Sequence, residues 1–109
     1  MPYLNIILDT MKKVLIKHTD NLIIKKDTFI TISNIAASKD PSICKIVYPL
    51  GFIQSACAAI VNQSITKEVR IEMMWLLSNY TFNADYGMLS QLLSEVPTAI
   101  IALVEITHS

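Results

Sequence analysis

Apolar residues recur along this chain at intervals of three and four positions, which is the spacing of one face of an α-helix. In residues 3–17 one set with this spacing is Leu4, Ile7, Leu8, Met11 and Leu15. The alternation of apolar and polar positions that marks a half-buried strand is not the pattern of this chain. The pattern therefore predicts an all-α protein.

Polar breaks divide this pattern into seven predicted helices. The first break, residues 19–21, offers Asp20 or Asn21 as N-cap of the helix that follows. The second break places Asp40 as an N-cap with Pro41 in the first helical turn, and the third is residues 83–85. Thr66 is a further N-cap candidate. The predicted helices span residues 3–17, 22–37, 41–48, 52–62, 66–82 and 86–94, with a last one beginning at Pro97.

One uncharged stretch, residues 46–66, is long enough to cross a bilayer. Pro49 and Gly51 lie close together in it, where a membrane-spanning helix would have to continue. Both residues interrupt helices, so we expect a turn at this point with a shorter helix on either side. A membrane is therefore not among the expected partners.

The composition excludes two further classes of protein. Hydrophobic residues make up 52% of the 109 positions and charged residues 17%, which is too apolar for a disordered chain. The formal net charge is zero, so the basic excess of a nucleic-acid-binding module is missing. Five lysines and a histidine do cluster in the first third, at Lys12, Lys13, Lys17, Lys25, Lys26 and His18. This cluster either binds phosphate or an acidic partner, or forms a solvated helix face.

Catalytic and metal-binding signatures are missing from the sequence. Cys44 and Cys57 are thirteen residues apart, which is no metal-ligand spacing, and we expect both to be free thiols buried as small hydrophobes. His18 and His108 stand near opposite ends of the chain, outside any zinc-binding motif, and no glycine-rich phosphate loop occurs. We therefore expect no enzyme, no cofactor and no metal site.

A short motif occurs twice, 45 residues apart. Ile-Thr-Ile-Ser-Asn at residues 30–34 aligns with Trp-Leu-Leu-Ser-Asn at residues 75–79, and Lys-Lys-Asp upstream aligns with Arg-Ile-Glu. Both copies lie late in a long predicted helix and precede a polar break. The period falls in the range of roughly 40–47 residues that armadillo and HEAT repeats use. Because repeats stack equivalent helices side by side, we expect the helices bearing Asn34 and Asn79 to be adjacent and parallel.

These residues resemble the armadillo repeats of the importin-alpha (karyopherin-alpha) family. Residues 41–48 look like the short first helix of a repeat, and Gly51-Phe52-Ile53 like the turn into its second helix. Residues 70–79 look like its third helix, and residues 25–34 match that pattern except for Ile30 at the tryptophan position. The resemblance implies a right-handed α-solenoid segment of about two and a half repeats. It spans residues 1–109 as one unit: a partial repeat (1–38), a full repeat (39–85) and a second partial repeat (86–109).

The resemblance also implies a peptide-binding groove. In the family the third helices line the concave side, so Asn79 would bond the backbone of an extended peptide, Trp75 would pack on a Lys or Arg side chain, and Glu72 would pair with its charge. Asp27 and Asn34 match the same roles in the earlier copy. Glu72, Trp75 and Asn79 are spaced three and four apart, so they share one helical face.

Simpler roles stay open for each of these residues. Trp75 is an equal candidate for the core, Asn34 and Asn79 for capping or bonding a neighbouring turn, and Glu72 for a solvated carboxylate. Tyr80 and Phe82 lie on other faces and are expected in the core or between repeats.

The sequence is compatible with two functions for such a segment. The leading one is binding of basic extended peptides, such as nuclear localisation signals, by a protein of the cytoplasm and nucleus. The alternative is a generic armadillo or HEAT interaction scaffold. Other repeats, or a second copy of the chain, are further candidate partners, because the final apolar helix has no third helix to cover it.

Overall fold

The computed structural model describes residues 2–38, 40–62 and 65–107, and within these ranges it contains helices and turns but no strand. The α-helices are α1 (Pro2–Lys17), α2 (Leu22–Ala36), α3 (Pro41–Val47), α4 (Phe52–Asn62), α5 (Lys67–Asn83), α6 (Tyr86–Glu95) and α7 (Ala99–Thr107), with one 3-10 turn at Tyr48–Leu50. The radius of gyration is 12.9 Å, as compact as a folded chain of this length should be. The all-α prediction is confirmed.

Polar side chains at the predicted breaks start three of these helices. Asn21 accepts hydrogen bonds from the backbone N–H groups of Ile23 and Ile24, which identifies it, rather than Asp20, as the cap of α2. Asp40 caps α3 and Asp85 caps α6 in the same way. Thr66 occupies the N-cap position of α5, but its side chain makes no capping bond.

The uncharged stretch is broken where Pro49 and Gly51 predicted a turn. The 3-10 turn ends at Gly51, whose φ of 89° lies in the left-handed region that glycine adopts without strain. Among the described residues no single helix is long and apolar enough to cross a membrane. By length and composition alone, two sharply bent pairs pass that test: Ser42–Leu50 with Phe52–Asn62, and Tyr86–Glu95 with Ala99–Thr107.

The core lies where α5 packs between α2 and α4, with α7 covering α4. Phe29 and Phe52 meet edge to face, and Tyr48 stacks on Tyr80. The two thiols, Cys44 and Cys57, are free and buried, as expected. Burial raises the pKa of the Cys57 thiol to about 11, so this side chain behaves as an apolar core residue.

Hydrogen bonds define how α2 and α5 lie against each other. Asn79 Nδ2 donates to the Ser33 carbonyl oxygen at 3.1 Å, and Asn83 Nδ2 donates to the Ala36 carbonyl oxygen at 3.0 Å. Because both contacts advance together along the two helices, α2 and α5 are adjacent and run in the same direction. The two copies of the Ser-Asn motif therefore lie on neighbouring parallel helices, as the 45-residue repeat predicts.

Two expectations from the sequence are wrong. Phe82 was expected in the core or between repeats, but it is 85% exposed because Tyr80, two positions earlier on the helix, takes the inward direction. The last helix begins at Ala99 rather than Pro97, because residues 97 and 98 form a turn closed by the hydrogen bond from Ala99 N–H to the Val96 carbonyl.

Candidate peptide-binding groove

A shallow groove of about 340 Å³ runs between α2 and α5. Its walls are Ile30, Ser33 and Asn34 from α2, and Glu72, Trp75 and Asn79 from α5. Four of the five residues that the resemblance singled out, Asn34, Glu72, Trp75 and Asn79, are therefore brought together. Asp27, two turns before Asn34, is exposed on α2 but is not one of the residues that line the groove.

Trp75 is 59% exposed, so it does not belong to the core. Its neighbours Met74 and Leu76 are both buried, which leaves the position between them on the solvent side of α5. A tryptophan ring in this setting offers an apolar platform with a negative face, to which a lysine or arginine side chain can bind. Glu72, half-buried one turn earlier on α5, brings a carboxylate to the same groove.

Asn79 lines the groove and at the same time bonds to α2. Its Nδ2 donates both to the Ser33 carbonyl oxygen and, at 3.0 Å, to the Ser33 hydroxyl. An amide nitrogen has two N–H groups, so Ser33 occupies both. Only the carbonyl oxygen of this amide can then bind a peptide, by accepting a backbone N–H, and the expected two-sided pairing is reduced to one bond.

Ser33 is the groove residue that the sequence analysis missed. It is buried at 5% exposure and fixes the orientation of Asn79. The serine belongs to the repeated Ser-Asn pair, so the signal was present, but only the asparagine was given a function. The second serine of that repeat, Ser78, lines a separate depression beside α5.

That second depression, which we call the α5–α7 cleft, has a volume of about 480 Å³. Lys67, Arg70, Ile71, Met74, Trp75 and Ser78 of α5 line it together with Ile106 of α7. Trp75 thus forms a ridge between the groove and the cleft. Arg70 is held at the cleft edge by a hydrogen bond to the Ile60 carbonyl and a 3.6 Å ion pair with Glu105.

Neither depression offers the chemistry of a metal centre. In the part of the chain that the structure describes, no three His, Cys, Asp or Glu side chains converge. The groove instead combines one carboxylate, one aromatic face and two amides, which are groups that bind a cationic, hydrogen-bonding chain.

No family model matches this sequence, and neither the curated proteins nor the solved structures give a significant match to it. Any functional assignment therefore rests on the residues and geometry of this chain.

Proposed function

We propose that this chain is a segment of an armadillo-type solenoid whose α2–α5 groove binds extended basic peptides, as an importin-alpha-like adaptor does in nuclear protein import. The 45-residue repeat and the parallel contact of α2 with α5 support the solenoid. An adaptor of this kind works in the cytoplasm and the nucleus. No catalytic step and no cofactor belong to this proposal.

The exposure of Trp75 beside Glu72 and Asn79 is the observation that carries the proposal. Leaving a large aromatic side chain in solvent forgoes the stabilisation of its burial, roughly 1.5–3 kcal/mol for a large apolar side chain. A ligand that covers the ring recovers that energy. Among peptide side chains, lysine and arginine suit the site best, because their stems pack on the ring while their charge faces Glu72.

Binding is expected to be weak. One aromatic platform contributes roughly 0.5–1 kcal/mol when exposed and about 2 when desolvated. The single available bond to Asn79 adds about 0.5–1.5 kcal/mol. Ile30, which takes the place of a second tryptophan, has no π system to offer. Together these contacts supply at most about 3.5 kcal/mol. That is less than the roughly 4–15 kcal/mol that association costs, so measurable binding depends on further contacts along the peptide.

The test compares a Lys-rich peptide with a Gln-rich peptide of the same length, by calorimetric or NMR titration against the intact chain. We expect binding of the Lys-rich peptide alone, weakened by added salt. Trp75→Ala should weaken it about two- to fivefold, which corresponds to the exposed cation–π range. Phe82→Ala is the matched control, since it removes an exposed aromatic on the same helix away from the groove, and it should have no effect. Equal binding of the two peptides would refute the import-adaptor function.

A second candidate, a generic armadillo or HEAT scaffold, is favoured by the state of Asn79. Its donors bind Ser33, so its part in holding α2 to α5 needs no ligand at all. On this alternative the groove residues are structural, Trp75 meets another kind of partner, and the peptide titration shows no preference for positive charge.

A further inference from the structure

The two depressions that meet at Trp75 carry opposite charges. Glu72 lines the groove, whereas Lys67 and Arg70 line the α5–α7 cleft. Residues two positions apart on an α-helix point about 200° apart around its axis and lie about 3 Å apart along it. Glu72 and Arg70 therefore project from nearly opposite sides of α5 at almost the same height. A chain that crosses α5 over the Trp75 ring meets a carboxylate on one side of the ring and two cations on the other.

Two of these three charges have no partner of opposite charge in the part of the chain that the structure describes. There, neither the half-buried Glu72 carboxylate nor the exposed Lys67 ammonium group forms an ion pair. A half-buried charge without a partner is unfavourable. Arg70 does pair with Glu105, but at 3.6 Å and with both side chains partly exposed, so this pair contributes little. A ligand with one cation and one anion would therefore complement both sides of Trp75 at once.

A peptide that is basic throughout complements only the groove. An extended chain advances about 3.3 Å per residue, and an α-helix with its side chains is about 10–12 Å across. About three residues therefore carry the peptide from the groove to the cleft. A lysine at that point of the peptide would face Lys67 and Arg70, and like charges repel. A glutamate or aspartate at the same point would face two cations.

We propose that the groove and the α5–α7 cleft together bind an extended peptide in which a basic and an acidic residue are about three positions apart. The basic side chain lies on Trp75 and faces Glu72, and the acidic side chain reaches Lys67 and Arg70. This inference rests on the proposed peptide binding in the groove and deepens it, because it specifies the ligand on the far side of Trp75. The cleft then supplies one of the further contacts on which measurable binding depends.

The test adds one glutamate to the Lys-rich peptide of the groove titration, three positions from the nearest lysine. A comparison peptide has glutamine at the same place. Both peptides are made in two versions, with the added residue before or after the lysines, because the groove accepts a chain in either direction. Trp75 is the one tryptophan of the protein, so its fluorescence reports the binding of these tryptophan-free peptides to the intact chain.

We expect the glutamate peptide of one version to bind about two- to fivefold more tightly than its glutamine counterpart, which is the range of an exposed ion pair. Non-specific attraction to the acidic groups of the protein predicts the reverse order, because glutamate lowers the positive charge of the peptide. The sign of the difference therefore separates a contact in the cleft from general charge attraction.

Three protein variants locate the contact. Lys67→Gln should abolish the preference for glutamate, because it removes the exposed cation of the cleft. Lys45→Gln on α3, the same change at an exposed position outside both depressions, is the matched control and should keep the preference. Glu105→Gln should increase the preference about twofold, because Arg70 loses its carboxylate partner in the protein and turns to the peptide. Circular dichroism checks that each variant is folded.

The outcomes separate this inference from the function on which it rests. If the Lys-rich and Gln-rich peptides bind equally, the proposed function and this inference both fail. If the Lys-rich peptide binds but glutamate gives no gain in either version, the groove function stands and the role of the cleft is wrong. The same conclusion follows if the gain survives Lys67→Gln.

Discussion

Asn79 is predicted to contribute far more to stability than Asn34, its equivalent in the other copy of the motif. Asn79 binds two groups of the buried Ser33 across the α2–α5 interface, whereas Asn34 is exposed on α2. Replacing each asparagine by alanine therefore gives a matched pair of variants. The pair separates the interface bonds from effects that any asparagine in a helix would show.

The magnitude follows from the two bonds. At about 0.5–1.5 kcal/mol each, their loss destabilises the protein by about 1–3 kcal/mol. Alanine favours the helix over asparagine by up to about 0.7 kcal/mol, and this gain applies to both variants. We therefore expect Asn79→Ala to be less stable than Asn34→Ala by about 1–3 kcal/mol, with Asn34→Ala close to the original protein.

Urea denaturation followed by circular dichroism measures this difference. With an m-value near 2 kcal/mol/M, the midpoint for Asn79→Ala should fall about 0.5–1.5 M below that for Asn34→Ala. A double-mutant cycle with Ser33→Ala should show a coupling energy of at least about 0.5 kcal/mol between the side chains of residues 33 and 79. Equal midpoints for the two asparagine variants, or additive behaviour in the cycle, would refute the role of Asn79 as the tie between α2 and α5.

Three further predictions concern single positions. Gly51→Ala should lower the free energy of unfolding by about 1–2 kcal/mol, because the φ of Gly51 is 89° and a residue with a Cβ atom is strained there. Gly87→Ala in α6 should be neutral or slightly stabilising. Thermal denaturation of both variants checks this difference. Tyr80→Phe should leave stability unchanged or raise it in urea titrations, since the buried Tyr80 hydroxyl has no hydrogen-bond partner within the described residues. Stability should hold up to about pH 9 and fall as the pH rises to about 11, because the folded state raises the pKa of Cys57 to about 11 and the unfolded thiol loses its proton first. Cys57→Ala should make that fall shallower in urea titrations under reducing conditions, and an unchanged slope would count against the assignment.

The sequence predicted part of the groove but not all of its contacts. The repeated Ser-Asn motif predicted that α2 and α5 are adjacent. Four of the five residues selected from the sequence line the groove. The sequence did not reveal that Ser33 would take both donors of Asn79, because that pairing depends on a contact between residues 46 positions apart. Nor did it place Asp27, which lies on α2 outside the groove lining.

Local signals in the sequence were enough to define the helices. The helix caps bond to backbone groups two or three residues further on, and the turn at Gly51 is equally local, so these features can be identified without knowledge of the fold. The caps are Asn21, Asp40 and Asp85. Burial is different, because it is decided by what packs against a side chain from elsewhere in the chain. Trp75 and Phe82 are both aromatic residues of α5, and only the positions of α2, α4 and α7 made both of them exposed while Tyr80 between them became fully buried. The tertiary structure likewise decided that Ser33 has a helix against it and Ser78 faces an open cleft, although the two lie in the same motif.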